Sequence, residues 1–270
     1  MAGSDGSDAQ HLEVSAADGT PIAVWVRGSG PPLVLVHGSI ADHTTFAGFV
    51  DVLQGHFTTY ALDRRGFGDT PDTRDYRIEQ DFDDVAAVVA AAADRAGSPV
   101  TLFGHSYGAG CALGASARGG RVGHLVVYEP GLGITYPPGA IERVDALLAA
   151  GDPEGAVVTV LAEVLDVAQE DIDTFRASPY WPRRIAAAGT IPRECRVEEE
   201  WVDDSAFEGI TAGTLFLTGA DSVPEIAAAT RRLASSVPGA RVKVIEGHGH
   251  FAHRADPELV CGLIRDFVRE

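Results

Sequence analysis

Val100-Thr101-Leu102-Phe103-Gly104-His105-Ser106-Tyr107-Gly108-Ala109-Gly110 is the stretch from which the rest of the chain can be read. A short apolar run enters Gly-x-Ser-x-Gly, and small residues from Cys111 to Ala117 continue as a helical segment. Strand, sharp turn and helix is the setting in which this motif exposes a serine hydroxyl at the carboxyl end of a sheet. Gly104 and Gly108 let strand and helix meet, because a Cβ at either place would clash, and Ser106 is pushed into a strained conformation. The bare motif recurs by chance, so its flanks must support it.

They do. Upstream, His11–Val14 and Pro21–Arg27 read as two strands joined at Asp18-Gly19, an opening hairpin. Leu33-Val-Leu-Val-His37 is a continuous apolar run, as expected of a strand covered on both faces. A helical pattern over 44–54, a strand at Phe57–Leu62 and a long Ala/Val helix from Glu79 to Ala96 follow. Beyond the quoted stretch comes a strand at His124–Tyr128. Strands alternating with helices predict βαβ units, hence an α/β fold with a doubly wound, mostly parallel sheet.

From 131 to 210 the alternation stops. Amphipathic patterns at Ile141–Ala150, Glu154–Leu165 and Ser178–Ala188 replace it, and the segment carries sixteen acidic and six basic residues, a net of −10. This reads as a helical cap inserted after the sixth strand, over the sheet's carboxyl end. Residues 11–130 and 211–270 then form the α/β core, and 1–10 is expected to be disordered. The alternation resumes at Thr214–Thr218, with a helix over 224–235, a strand at Arg241–Ile245 and a last helix started by Asp256 as N-cap and Pro257.

Charge and cysteine content narrow the function. The net charge is −18 over 270 residues, and Lys243 is the single lysine, so phosphate backbones and anionic membranes are poor partners. No apolar run is long enough to span a bilayer, and the polar start lacks the features of a signal peptide, so a cytoplasmic location is expected. Cys111, Cys195 and Cys261 are too few and too scattered for a disulfide framework or thiolate zinc site. No metal or organic cofactor is implied. The His248-x-His250 pair lacks a matching ligand set elsewhere, and His105 reads as a packed residue of the turn.

Several motifs in order resemble the α/β-hydrolase family with a helical cap, over about residues 12 to 269. They are His37-Gly38, Asp63-Arg-Arg-Gly-Phe-Gly68, Gly104-His-Ser-Tyr-Gly108, a Gly219/Asp221 turn after a strand, and Gly249-His250-Phe251 before the terminal helix. The resemblance implies the α/β-hydrolase fold and a serine nucleophile with its partners in the chain order serine, acid, histidine. Ser106 is the expected nucleophile and His250 its base, because a serine needs an imidazole within reach and the imidazole needs an anion to fix it. The family's acid usually stands three residues after the glycine that ends the strand, here Ser222. Asp221, two residues after Gly219, is the preferred acid. Glu129, in Tyr128-Glu129-Pro130 at the preceding strand's end, is the alternative, because some family members take their acid from there.

By the same resemblance the N–H groups of Ser39 and Tyr107 form the oxyanion hole. His37 and the Asp63–Gly68 turn, with Arg64 or Arg65 on Asp63, read as mainly structural. Tyr107, Tyr136, Tyr180, Trp181, Trp201 and Phe207 are candidates either to line a substrate pocket or to pack the cap, with His37 a further candidate at the pocket. The expected activity is hydrolysis of an ester, lactone or related acyl bond in a small molecule, with the cap's charge favouring a neutral one. Thioester cleavage, carbon–carbon bond hydrolysis and cofactor-free perhydrolysis use the same residues. A non-catalytic receptor on this fold is the reading of another class.

Overall fold

The computed structural model describes residues 9–270. Eight strands form one sheet: β1 (Gln10–Ser15), β2 (Pro21–Gly28), β3 (Pro32–Val36), β4 (Thr58–Leu62), β5 (Val100–His105), β6 (Val122–Tyr128), β7 (Gly213–Gly219) and β8 (Arg241–Ile245). Their spatial order is β1-β2-β4-β3-β5-β6-β7-β8. The β1–β2 and β2–β4 pairs are antiparallel, and the pairs from β4 through β8 are parallel. Gln10 belongs to β1, so the expectation of disorder over 1–10 does not hold there, and residues 1–8 lie outside the described ones.

The helices are α1 (Ala47–Leu53), α2 (Ile78–Ala96), α3 (Tyr107–Ala117), α4 (Ala140–Ala149), α5 (Pro153–Thr159), α6 (Gln169–Arg176), α7 (Trp181–Ala186), α8 (Ile191–Glu200), α9 (Pro224–Ser236), α10 (Ala252–Ala255) and α11 (Pro257–Arg269). Alternate residues of each inner strand point to opposite faces. Val34, Val36, Leu102, Val127 and Phe216 join the core under α2 and α3. Leu33, Leu35, Phe103, Val126 and Leu217 join a second core with residues of α1 and α11, such as Phe49 and Val260. Covered faces on both sides are why these strands read as unbroken apolar runs.

Helices α4 to α8 all fall in the chain between β6 and β7. They bury a third apolar cluster, with Val144, Val157, Ile172, Trp181 and Ile191, which also takes in Ile40 from the β3 loop and Ala229 from α9. Two helices here, α6 and α8, were not predicted, and the Glu154–Leu165 helix turns out to be α5 running into a π-helical stretch at Val160–Val164. The first is mostly polar and the second carries acidic side chains on its buried face, so neither shows a clean apolar stripe. Asp256 caps α11 as expected, its carboxylate accepting from the Leu259 N–H at 3.0 Å.

Candidate active site

The end of β5 and the start of α3 place Ser106. Its φ of 57° and ψ of −128° lie where few side chains are tolerated, a strain on the order of 1–3 kcal/mol that the surroundings must hold. They hold it from two sides. The Ser106 N–H donates to the Tyr128 carbonyl at 2.9 Å, and the helix packs so closely that a Cβ on Gly104 would stand 2.4 Å from the Gly108 oxygen. Ser106 is half-buried and opens on a cavity of about 50 Å³.

His250 lines the same cavity, from the loop after β8. That loop is tied down by two side chains: the Tyr128 hydroxyl donates to the Gly249 carbonyl and accepts from the Ala252 N–H at 3.1 Å. His105, kept neutral by burial and by the neighbouring His253 and His250, meets the His250 carbonyl at 2.8 Å. The His250 imidazole Nδ1 lies 2.6 Å from Glu129 Oε2. Asp221 is not its partner. It is exposed, its N–H donates to the His248 carbonyl at 3.0 Å, and it borders a neighbouring, larger cavity that does not include Ser106.

The reason is a matter of turn register. After Gly219, it is Ser222 that turns inward, and its hydroxyl donates to Glu129 Oε1 at 2.5 Å. Glu129 also accepts from the Gly219 N–H at 2.6 Å and the Thr218 hydroxyl at 3.1 Å. Burial alone would raise its pKa. The bond and charge of His250, with the bonds from Ser222 and Gly219, more than offset this and hold it below the ordinary carboxylate value. Glu129 reaches in because its own φ is 50°, which kinks the chain immediately after β6.

A fully buried cation supports the other wall. Arg64 Nε donates to the His37 carbonyl at 2.9 Å and its Nη2 to the Gly38 carbonyl at 3.1 Å, while Nη1 binds Asp81 at 2.9 Å. Glu194 of α8 approaches the same guanidinium at 2.7 Å. Arg64 therefore fixes the carbonyls that precede Ser39, which lines the cavity. The Arg64 N–H donates to His37 Nε2 at 3.0 Å, so His37 carries its proton on Nδ1, which bonds the Gly38 carbonyl at 2.8 Å. His37 is a fully buried structural residue, held neutral by burial and by Arg64, and does not line the cavity.

Of the candidate aromatic residues, Tyr136 lines the Ser106 cavity, beside Glu198. Tyr136 donates to Glu198, whose burial pushes its pKa up to about 8. Trp181 packs inside the α4–α8 cluster, and Trp201, half-buried, stacks on Phe207 at 5.5 Å against the core under α2 and α3, so neither lines the cavity. Tyr180 is largely exposed and borders a different small cavity. The Tyr107 ring is buried, with its hydroxyl 2.7 Å from that of Tyr76, and does not line the cavity. The large residues were dispersed because a ring's destination depends on long-range packing, which their spacing does not record. Sequence reading missed Arg184 and Glu198, both of which line the cavity. Asp42, His43 and Asp63 approach one another closely enough to suggest a cation site. Their oxygens are already engaged, Asp63 by the His43 ring and by the N–H groups of His43 and Asp69, and Asp42 by Thr44 and Arg183.

The sequence profile of the Alpha/beta hydrolase family matches residues 33–263, which is most of the chain. The chain belongs to that family. Among the relatives of this hydrolase, the 2-(acetamidomethylene)succinate hydrolase of Mesorhizobium japonicum is 28% identical over 259 residues, covering 90% of this chain and 89% of its own. An alpha/beta hydrolase from Sphaerobacter thermophilus superposes with a TM-score of 0.80 at 33% identity, covering 95% of this chain and all of its own. An esterase from Exiguobacterium antarcticum has a TM-score of 0.77 at 21% identity, over 97% of this chain and 100% of its own, a likeness of fold alone. No helix of the described residues is long and apolar enough to cross a membrane.

Proposed function

We propose that this hydrolase cleaves an ester, lactone or related acyl bond of a small molecule through an acyl-enzyme on Ser106. The observation that supports this best is the 2.6 Å contact between His250 Nδ1 and Glu129, made in the wall of the cavity that holds Ser106. With Nδ1 donating to the carboxylate, Nε2 keeps the lone pair that takes the serine proton. Ser106 Oγ attacks the carbonyl carbon, and the proton passes to His250 as the tetrahedral oxyanion forms. The imidazolium is stabilised by Glu129, which stays ionised. The N–H groups of Ser39 and Tyr107 receive the oxyanion, each such donor contributing roughly 3–4 kcal/mol in related sites. His250 then protonates the leaving group, and a water activated by the same imidazole releases the acid.

Glu129 replaces the preferred Asp221 in this scheme. The segment carrying α4 to α8 acts as the cap: its Tyr136, Arg184 and Glu198 line the cavity together with Ser106 and His250. The cavity of about 50 Å³ shares Leu165, Ile226, His250 and Phe251 with the larger cavity beside it, into which a substrate can extend. The Mesorhizobium relative, named as a hydrolase of a substituted succinate, is in keeping with a small acyl substrate.

Turnover of short alkyl and aryl esters, measured beside Ser106→Ala, tests the reading. Hydrolysis by the wild type and none by the variant is expected. Equal rates in both, or a wild type with neither turnover nor acylation, would favour a receptor on the same fold.

A further inference from the structure

Two arginines, Arg184 in the Ser106 cavity and Arg254 beside it, form no ion pair among the described residues. Arg184 of α7 is 8% exposed and lines the Ser106 cavity, yet it meets no carboxylate among the described residues. It donates one hydrogen bond to the Ile40 carbonyl at 2.9 Å and one, at 3.4 Å, to the Thr45 hydroxyl. A guanidinium has five N–H groups, so three remain for something else. Arg254 of α10 makes no ion pair with a described residue either, and its Nη1 is buried with no hydrogen-bond partner. Both cations lie against the Phe175 ring, at 5.5 and 4.5 Å from its centre, and both border a further small cavity that also holds the Asp42–Arg183 pair and shares Ala41, Thr45 and Arg184 with the Ser106 cavity.

The contrast with neighbouring arginines is informative. Arg183, next in the chain, pairs with Asp42; Arg64 pairs with Asp81 and Glu194; Arg65 pairs with Asp84 and Asp18. Burying a guanidinium is costly unless an anion comes with it, and an aromatic face supplies only part of that compensation. Burial and the nearby Arg254 push Arg184 down to about 10 against the opposing charge of Asp42, which is itself paired with Arg183, and Arg184 stays charged at neutral pH. Of the acids lining the cavity, Glu129 is bound to His250 and Glu198 is bound by Tyr136.

The geometry points to an anion-binding subsite formed by Arg184 and supported by Arg254, which takes a carboxylate of the substrate a few bonds from the carbonyl attacked by Ser106. This rests on the hydrolase reading for the position of the scissile bond. It also reverses the expectation of a neutral substrate drawn from the acidic segment. Of that segment's acids only Glu198 lines the cavity, where Arg184 presents a cation without an ion pair. Recognition is by a forked donor, for which a planar carboxylate is the natural complement.

The test compares monoethyl succinate, charged at neutral pH, with its uncharged isostere ethyl succinamate, following acid release by pH-stat. The subsite predicts a kcat/KM at least tenfold higher for the charged ester, and a ratio falling toward one in both Arg184→Gln and Arg254→Gln. In parallel, glutarate is titrated calorimetrically into Ser106→Ala, which needs no turnover. It should bind there, and at least tenfold more weakly once Arg254→Gln is added. A wild-type ratio of one or less, or glutarate that fails to bind at millimolar concentration, overturns the subsite. If neither ester is cleaved, the hydrolase reading fails, and the glutarate titration alone decides this one. Should Arg184→Gln not fold, Arg254→Gln carries the comparison.

Discussion

Glu129 and His250 are joined at 2.6 Å although 121 residues separate them, and Ser222 holds the other carboxylate oxygen at 2.5 Å. The chain thus keeps an acid beside its histidine while a serine occupies the place after Gly219 where the family resemblance leads one to expect the acid. The carboxylate comes instead from the neighbouring strand, and the residue that would have carried it now positions the replacement.

Removing only the charge of Glu129 therefore reaches the chemistry. Glu129→Gln is expected to lower kcat by roughly 10²–10⁴, as loss of the orienting carboxylate does in other triads. Asp221→Asn should stay within about twofold of the wild type, since Asp221 is exposed and touches the loop through its backbone. Steady-state kinetics of the two variants on one ester decides between them.

Glu198 gives the protein a pH-dependent weakness. Burial raises its folded pKa to about 8, above the ordinary carboxylate value of 4.5 that holds in the unfolded chain, so the folded state holds the proton more tightly between those values. The unfolded state then binds fewer protons, and stability falls as pH rises through that window. Glu198→Gln removes the titration but keeps an acceptor for Tyr136. Wild type should lose stability relative to this variant between pH 5 and 8, by an amount on the order of a few kcal/mol. Urea denaturation at several pH values reads the difference; parallel curves would contradict it.

The turn at Ser106 and the terminal helix make a matched pair of glycine tests. A Cβ on Gly104 would meet the Gly108 oxygen at 2.4 Å and the Ala109 Cα at 2.7 Å, both backbone atoms that cannot swing aside. Gly104→Ala should cost about 2–3 kcal/mol or more. Gly262 lies inside α11 with nothing within 4 Å of the added Cβ. Gly262→Ala should stabilise the fold by about 0.5–1 kcal/mol, by helix propensity. Thermal melts compare both with the wild type.

Arg64→Met should be among the most damaging substitutions outside the catalytic set. It leaves Asp81 and Glu194 buried without their cation and frees the His37 and Gly38 carbonyls. Breaking such a buried group costs roughly 3–5 kcal/mol. Chemical denaturation should show that loss, and the folded fraction should have a reduced kcat because the Ser39 loop is no longer held.

What the sequence made legible was local. Apolar runs of strand length, the glycines around Ser106 and the Asp256-Pro257 start reported the sheet, the turn and the last helix because each depends on neighbours in the chain. The acid was ambiguous for a geometric reason: a difference of one residue in the turn after Gly219 decides whether residue 221 or 222 faces inward, and composition does not encode that. Trp181 and Trp201 went astray similarly, since either ring fits a pocket or a core equally well by its chemistry. Arg184 and Arg254 were invisible, because an unpaired charge is defined by which acids fail to reach it.

The most direct measurement is the rate at which a fluorophosphonate labels Ser106, read by intact mass and peptide mapping in wild type, Glu129→Gln, Asp221→Asn and His250→Ala. A single adduct on Ser106 is predicted, forming in Asp221→Asn at the wild-type rate and at least a hundredfold more slowly in Glu129→Gln and His250→Ala. Labelling elsewhere, or an Asp221→Asn protein as slow as His250→Ala beside a fast Glu129→Gln, would contradict the triad.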